Sequence, residues 1–205
     1  MTPVKSTPRA LLCDIDGVLR LWPKDGMAGV DRAHGLPEGT LAATAFHPDL
    51  LLPAITGRVS DVQWRESVAE ALTDRCGGSE PARAVITAWN AVAASVNQEM
   101  AQLLTQIRTR LPVLLVSNAT DRLDSDLAAL GLDGFSVVNS SQVGAAKPDP
   151  RIYRVAAERA GVDPCECLFV DDSEQNVTAA RDLGFHGVWF HEADGPRAVR
   201  EILGL

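Results

Sequence analysis

Lysine is scarce in this chain, with three residues (Lys5, Lys24 and Lys147) against sixteen arginines. No basic stripe stands out that could neutralise a phosphate backbone, and the net charge of -8 argues against a general nucleic-acid binder. Cysteine is also sparse. Cys13, Cys76, Cys165 and Cys167 match no metal-finger spacing and suggest no disulfide framework, so a reducing, intracellular setting is the default. The four histidines (His34, His47, His186 and His191) have no mutual spacing that suggests zinc. Long apolar runs are missing too: nothing approaches the roughly 18 residues that cross a bilayer. The N-terminus carries Lys5 and Arg9, but its apolar stretch Ala10-Leu11-Leu12-Cys13 is stopped by Asp14, too short for the core of a signal peptide. These absences together predict a cytoplasmic protein with no membrane partner. Internal repeats and low-complexity segments are likewise absent.

What is present is an ordinary globular composition, 46% hydrophobic and 22% charged over 205 residues. That length suits one domain, or one domain carrying an insert, and buries a sizeable core without disulfide or metal staples. The acidic total does not exclude a small anionic substrate, because a local metal ion or lysine inverts the field at one site.

The second half alternates between two periodicities. Val113-Leu114-Leu115-Val116, Phe135-Ser136-Val137-Val138, Leu168-Phe169-Val170 and Gly187-Val188-Trp189-Phe190 have strand length and β-branched or aromatic content. Helical stretches lie between them. One runs from Thr120 to Gly131, with Leu123, Leu127 and Leu130 in a stripe; one opens at Asp149-Pro150 and ends near Gly161; one follows Ser173 and stops at Gly184. Strand, helix, strand with short links predicts a parallel sheet covered on both faces, an α/β fold.

Its first strand falls at Ala10 to Cys13, and the next is not reached until Val113. The intervening segment is helix-compatible. Ser60 to Cys76 has Trp64, Val68 and Leu72 on one side, and a longer helical pattern runs from Pro81 to Ile107. That pattern is too long for one helix and should break near Val96. Arg20 to Pro53, with four prolines and several glycines, is expected to be loop-rich. Trp64 and Trp89 are expected to pack the insert's helices, while Arg20 and Trp22 follow the first loop closely enough to line its entrance.

In an open α/β sheet, ligands bind at the carboxyl ends of the strands. Those ends carry Cys13-Asp14-Ile15-Asp16-Gly17, Ser117-Asn118-Ala119 and Asp171-Asp172-Ser173, with Lys147 in the loop before the second helix. Asp14 and Asp16, joined by a carboxylate from Asp171 or Asp172, offer hard oxygen ligands suited to Mg²⁺. One aspartate could attack phosphorus and the other move a proton. Ser117 offers a hydroxyl, and Lys147 a positive charge, to a transferring phosphoryl group. Each feature alone has an ordinary explanation: aspartates cap turns, Ser117-Asn118 are loop residues, and a lone lysine is usually solvated. The set is what carries the signal.

Asp14-Ile15-Asp16-Gly17-Val18-Leu19, Ser117-Asn118, Lys147-Pro148-Asp149-Pro150 and Phe169-Val170-Asp171-Asp172-Ser173 resemble, in order, the four motifs of the haloacid dehalogenase-like hydrolase superfamily. The resemblance implies a Rossmann-like three-layer core with a parallel sheet from residues 1–19 and 97–205. It also implies a small, mostly helical cap domain, residues 20–96, inserted after the first strand; Gly57-Arg58-Val59-Ser60 followed by Trp64 resembles a stretch common in such caps. By the same resemblance Asp14 is the nucleophile and a metal ligand, and Asp16 the general acid/base that meets the metal through its backbone carbonyl. Ser117 and Asn118 bind substrate, and Lys147 steadies Asp14 and the phosphoryl oxygens. Asp172 completes the metal site, with Asp171 beside it as an outer-shell partner. The implied function is a Mg²⁺-dependent phosphatase acting on a small phosphorylated metabolite through an aspartyl-phosphate. Phosphomutase chemistry stays open, and a homodimer is allowed for. A dehalogenase is disfavoured because that branch lacks an aspartate at the place of Asp16. A non-catalytic binding module is the remaining alternative, since fold never guarantees activity.

Overall fold

The computed structural model describes residues 7–205; the remaining positions of the expected core, with Lys5 among them, lie outside the described residues. Five strands form one parallel sheet: β1 (Ala10–Cys13), β4 (Val113–Ser117), β5 (Ser136–Asn139), β6 (Cys167–Asp171) and β7 (His186–Trp189). Their order is β5-β4-β1-β6-β7, so β1 lies at the centre with Leu12 level with Leu114 on one side and Phe169 on the other. The central strands read as unbroken apolar runs because both faces are covered. Leu11 and Cys13 face one core, and Ala10 and Leu12 face the other, as the two-residue pleat requires.

The first face is covered by α6 (Gln98–Ile107), α7 (Leu123–Ala129) and α11 (Gly195–Leu203), which contribute Met100, Leu103, Leu104, Leu127 and Val199. The second is covered by α9 (Pro150–Ala160) and α10 (Glu174–Asp182), through Ile152, Tyr153, Ala156 and Val177. Tyr153 packs edge-on against Phe169 of β6, ring centroids 5.2 Å apart, and its hydroxyl donates to the Asn176 carbonyl at 3.0 Å. A short helix, α8 (Ser140–Val143), follows β5 and is capped by the Asn139 side chain. Chain order changes direction across β1, from β4 and β5 on one side to β6 and β7 on the other. That places a crevice at the carboxyl ends of β1, β4 and β6.

Between β1 and α6 the chain builds five helices: α1 (Gly26–Ala33), α2 (Thr40–Ala45), α3 (Pro48–Ile55), α4 (Asp61–Cys76) and α5 (Ser79–Asn90). They share a separate core of Val30, Leu41, Ala54, Trp64, Val68, Leu72 and Val85. A two-residue antiparallel ribbon, β2 (Arg20–Leu21) with β3 (Ser95–Val96), carries the chain in and out of this unit. Asn97 locks the exit: its backbone N–H donates to the Leu19 carbonyl, and its side chain both donates to Val18 and caps α6.

Two expectations need correction, and a third is met. The segment from Arg20 to Pro53 is not loop-rich but holds three short helices; Pro48 sits at the first position of α3, where its missing N–H costs nothing. The helix expected from Thr120 starts at Leu123, because the Thr120 hydroxyl is used across the molecule, donating to Asp61 at 3.0 Å. The long pattern from Pro81 does break, over residues 91–97, and the break is the ribbon strand β3. Ser60 starts α4 with a complete capping box to Gln63, and Asp149 and Ser173 cap α9 and α10 as their sequences indicate.

Phe169 is fully buried between β1 and the Tyr153 ring, so Phe169→Ala should lower stability by about 3–5 kcal/mol. Denaturant midpoints at constant slope would check this; a loss below about 1 kcal/mol would mean that the α9 face collapses freely onto the sheet.

Candidate active site

Three strand ends and one loop converge. Asp14 follows β1, Ser117 closes β4, Asp171 closes β6, and Lys147 arrives from the loop before α9. Lys147 is 5% exposed, and its ammonium meets Asp14 Oδ1 at 2.7 Å and Asp171 Oδ2 at 2.7 Å while donating to the Val116 carbonyl at 2.9 Å. An ammonium has three donors, and all three are engaged. The loop is fixed by Asn118, whose amide accepts from the Lys147 N–H at 2.7 Å and donates to the Lys147 carbonyl at 2.8 Å. The Asn118 side chain, expected at the substrate, is thus committed to Lys147.

Asp14 accepts a second bond on the same oxygen, from the Ile15 N–H at 2.6 Å, which leaves Oδ2 outside these contacts. Asp171 is completely buried. It accepts from the Ser173 N–H at 2.8 Å and from Asn176 Nδ2 at 3.1 and 3.2 Å, besides Lys147. Asp172 instead is exposed and lies over Gly17, where a Cβ would come within 2.0 Å of its Oδ2. Gly17 also has φ +79°, so the position excludes side chains on two counts. One carboxylate oxygen each from Asp14, Asp171 and Asp172 lies within 4.8 Å of the others. Three carboxylates thus surround one ammonium. Burial pushes the Asp14 carboxyl up to about 8, with Lys147 opposing and Asp171 adding to the rise. Burial, then Asp171, also raises Asp172, while Asp14 and Asp171 hold the Lys147 ammonium above its usual value against its own desolvation. This donor set fits a hard divalent cation, since a dication supplies the missing charge and prefers carboxylate oxygens. With Asp171 saturated, Asp14 and Asp172 have the coordinating capacity.

Asp16 stands apart from this cluster. Arg20 grips it through two bonds, Nε to Oδ1 at 2.7 Å and Nη2 to Oδ2 at 2.8 Å, and the Trp22 indole donates to Oδ1 at 2.6 Å. Arg20 also reaches Asp126 at 3.2 Å. Asp16 and Asn118 line a cavity of about 610 Å³ between the sheet edge and the helical unit, whose walls include Trp22, Phe46, Trp64 and Trp89. Ser117 is buried at the strand end, two residues beyond the Cys13↔Leu115 pair, at the same sheet edge as Asp14. Asn176 was not foreseen from the sequence. Its signal was available, because the third residue of a helix reaches back to the cap region, here to Asp171.

With this geometry in view, the comparisons with known proteins identify the class. Residues 8–184 match the haloacid dehalogenase-like hydrolases, and the chain belongs to that family. Over 71 residues, 34% of this chain and 33% of its relative, it is 50% identical to a phosphatase of Mycobacterium tuberculosis. A HAD family enzyme of Bacteroides thetaiotaomicron, solved with magnesium and inorganic phosphate, superposes with a TM-score of 0.70 at 25% identity, covering 88% of this chain and 93% of that one. An L-2-haloacid dehalogenase of Xanthobacter autotrophicus superposes with a TM-score of 0.62 at 26% identity, covering 88% and 76%. The chain spans between 19% and 38% of the length of the first curated relatives it matches. Among the described residues no helix is long and apolar enough to cross a membrane.

The raised Asp14 carboxyl has a sign that can be tested. The folded protein holds this proton more tightly than the unfolded chain, so the contribution of Asp14 to metal-free stability is fully present below about pH 4 and is lost as pH rises through about 8. A cation must displace the proton, so apparent Mg²⁺ affinity should climb with pH, by up to about tenfold per unit below pH 8. Melting temperatures with chelator and with Mg²⁺ across that range, compared between wild type and Asp14→Asn, read both effects. The variant should flatten both trends; a wild type stabilised relative to it as pH rises, in chelator, would contradict the assignment.

Proposed function

We propose that the chain is a magnesium-dependent phosphatase hydrolysing small phosphorylated metabolites through an aspartyl-phosphate on Asp14. The observation that carries this reading is the buried Lys147 fixing Asp14 by one oxygen, with Asp171 and Asp172 grouped beside it. Asp14 Oδ2 attacks phosphorus, the ester P–O bond breaks, and the departing oxygen takes a proton from Asp16. Water then loses a proton to Asp16 and attacks the same phosphorus, which frees Asp14 and inorganic phosphate. Asp16 exchanges its Arg20 contact for the leaving oxygen in the first step. Ser117 and the N–H groups of its loop hold phosphoryl oxygens, and Lys147 keeps Asp14 oriented and compensates its charge. Mg²⁺, held by Asp14, Asp172 and the Asp16 carbonyl, with Asp171 as an outer-shell partner, would supply charge neutralisation for the transferring group.

The phosphatase relative and the magnesium- and phosphate-bound neighbour support this reading. The dehalogenase neighbour points to the alternative, attack by the aspartate at carbon; Asp16, facing the cavity, counts against it. We assign the core to residues 1–19 and 97–205 and the cap to residues 20–96, which closes over the sheet edge and excludes water. A cytoplasmic setting and a small-metabolite partner, rather than nucleic acid or membrane, follow from the charge and the absence of long apolar runs. A homodimer is compatible with both.

Excess chelator should abolish turnover of phosphate esters and added Mg²⁺ restore it; undiminished rates in chelator would remove the metal from the mechanism. Analysis of products separates hydrolysis from a mutase outcome, since only hydrolysis releases free phosphate.

The two aspartates of the first loop should fail differently. Asp14→Asn should leave neither phosphoenzyme nor phosphate release detectable. Asp16→Asn should lose proton transfer, about 10² to 10⁴ in rate, mostly with poor leaving groups. With an activated aryl phosphate it should show a burst of aryl alcohol followed by slow turnover, with phosphoenzyme accumulating. Identical behaviour of the two variants would overturn the division of labour.

A further inference from the structure

The cavity beside Asp16 is larger than a phosphoryl group requires. At about 610 Å³ it falls in the range of pockets that enclose a drug-sized ligand. Phe46, Leu51, Ile55, Trp64 and Trp89 make its walls largely apolar, and Arg65 is set among the aromatic ones. Arg65 lies with its guanidinium carbon 4.1 Å from the Trp89 ring centroid and 5.4 Å from that of Trp64, and the two rings meet edge-on at 5.2 Å. The Arg65 side chain is 17% exposed.

Its hydrogen bonding is incomplete in a specific way. Nε donates to Asp61 Oδ2 at 2.7 Å, but Nη1 is buried with no hydrogen-bond partner. The other arginines at the cavity use their terminal nitrogens: Arg20 on Asp16 and Asp126, and Arg122 on Asn90. A guanidinium donor left unpaired in a desolvated place is costly, and an acceptor brought to this fork by a bound molecule would relieve that cost. Arg65 is also held in register with the catalytic edge. Asp61, which fixes its Nε, accepts from the Thr120 hydroxyl at 3.0 Å and donates its backbone N–H to Asp121 at 2.7 Å. Thr120 is three residues beyond Ser117, so the fork and the phosphoryl site are tied through one loop.

We propose that Arg65 determines specificity by binding an oxyanion on the leaving alcohol. Resting on the phosphatase reading, this makes the preferred substrates monoesters of amphipathic alcohols, with an apolar or aromatic body between Trp64, Trp89 and Phe46 and an acidic group at the far end. A carboxylate or a second phosphate supplies the same acceptor geometry to a planar fork. Sugar phosphates, lacking the apolar body, are poor substrates.

The test compares 2-naphthyl phosphate with 6-carboxy-2-naphthyl phosphate, in wild type and in Arg65→Met, with acetyl phosphate as a control that has almost no leaving group to recognise. The ratio of kcat/KM for the two naphthyl esters, compared between enzymes, cancels the difference in leaving-group chemistry. Arg65→Met should lower the ratio by about ten- to hundredfold, with acetyl phosphate turnover reporting any general loss at the phosphoryl site that falls equally on both esters. Arg65→Lys serves if the Met variant folds poorly: its single ammonium pairs with Asp61 and leaves no fork, so the ratio should fall there too. An unchanged ratio in a folded variant overturns the proposal. Should wild type turn over none of the esters, acetyl phosphate included, the phosphatase reading fails. Calorimetric titration of 6-hydroxy-2-naphthoate and 2-naphthol still decides Arg65's role: the acid should bind wild type more tightly than naphthol and lose that advantage in the variant. The same acid binding both proteins alike overturns the proposal by that route also.

Discussion

The contact on which the rest of the site depends is the buried ammonium of Lys147 between Asp14 and Asp171. Two carboxylates this close in a desolvated place repel, and one would ordinarily stay protonated; the lysine makes their approach tolerable. Buried ion pairs are weak contributors to stability when compared with apolar packing, and removing one partner is costly. Their retention here is explained by what they position. Lys147 can reach both acids only because β1 is central, with β4 and β6 as its neighbours, so the three strand ends lie within a side chain's length of each other. Asn118 then fixes the lysine by its backbone, which makes it a positioning residue for the Asp14 carboxylate.

The remaining contacts follow from the imbalance that one lysine leaves. Asp171 is neutralised locally by Lys147, Ser173 and Asn176 and has no free capacity. Asp172, next in sequence, is exposed and lies over Gly17, whose missing side chain makes the approach feasible. The first-loop glycine thus has a reason beyond turn geometry: any side chain there would occupy the place of the Asp172 carboxylate. Neighbouring aspartates therefore divide into a structural acid and an accessible one by burial alone.

Much of this was legible in the sequence and some was not, for identifiable reasons. The strand ends were legible because an apolar run covered on both faces stops abruptly at its first acid, as at Cys13-Asp14 and Val170-Asp171. The caps at Ser60, Asp149 and Ser173 were legible because their partners are local. The three helices between Arg20 and Pro53 were hidden by prolines that read as breakers; Pro48 in fact starts a helix. The ribbon of β2 and β3 has two residues per strand, too short for any periodicity, and α8 is a single turn. Long-range polar contacts left no pattern at all. Nothing local to Arg20 announces that it holds Asp16, and nothing near Thr120 announces that it meets Asp61 on the other unit.

Asp16 is where the two halves of the molecule meet. Its loop leaves β1, yet its side chain belongs to the cavity wall, held by Arg20 of the ribbon and by the Trp22 indole just beyond it. Arg20 is itself tied to Asp126 on α7, and Arg122 joins that same Asp126 to Asn90 at the end of α5. Asp16 therefore shares a chain of polar contacts with the helices that wall the cavity. Trp64 and Trp89 line the same cavity as the Asp16 carboxylate. Displacing Arg20 from Asp16 requires another donor to take its place, because a half-buried carboxylate gripped by two N–H groups is costly to leave bare. The first loop of the core and the helices of the inserted unit are thus coupled through one continuous chain of polar contacts rather than built as separate walls.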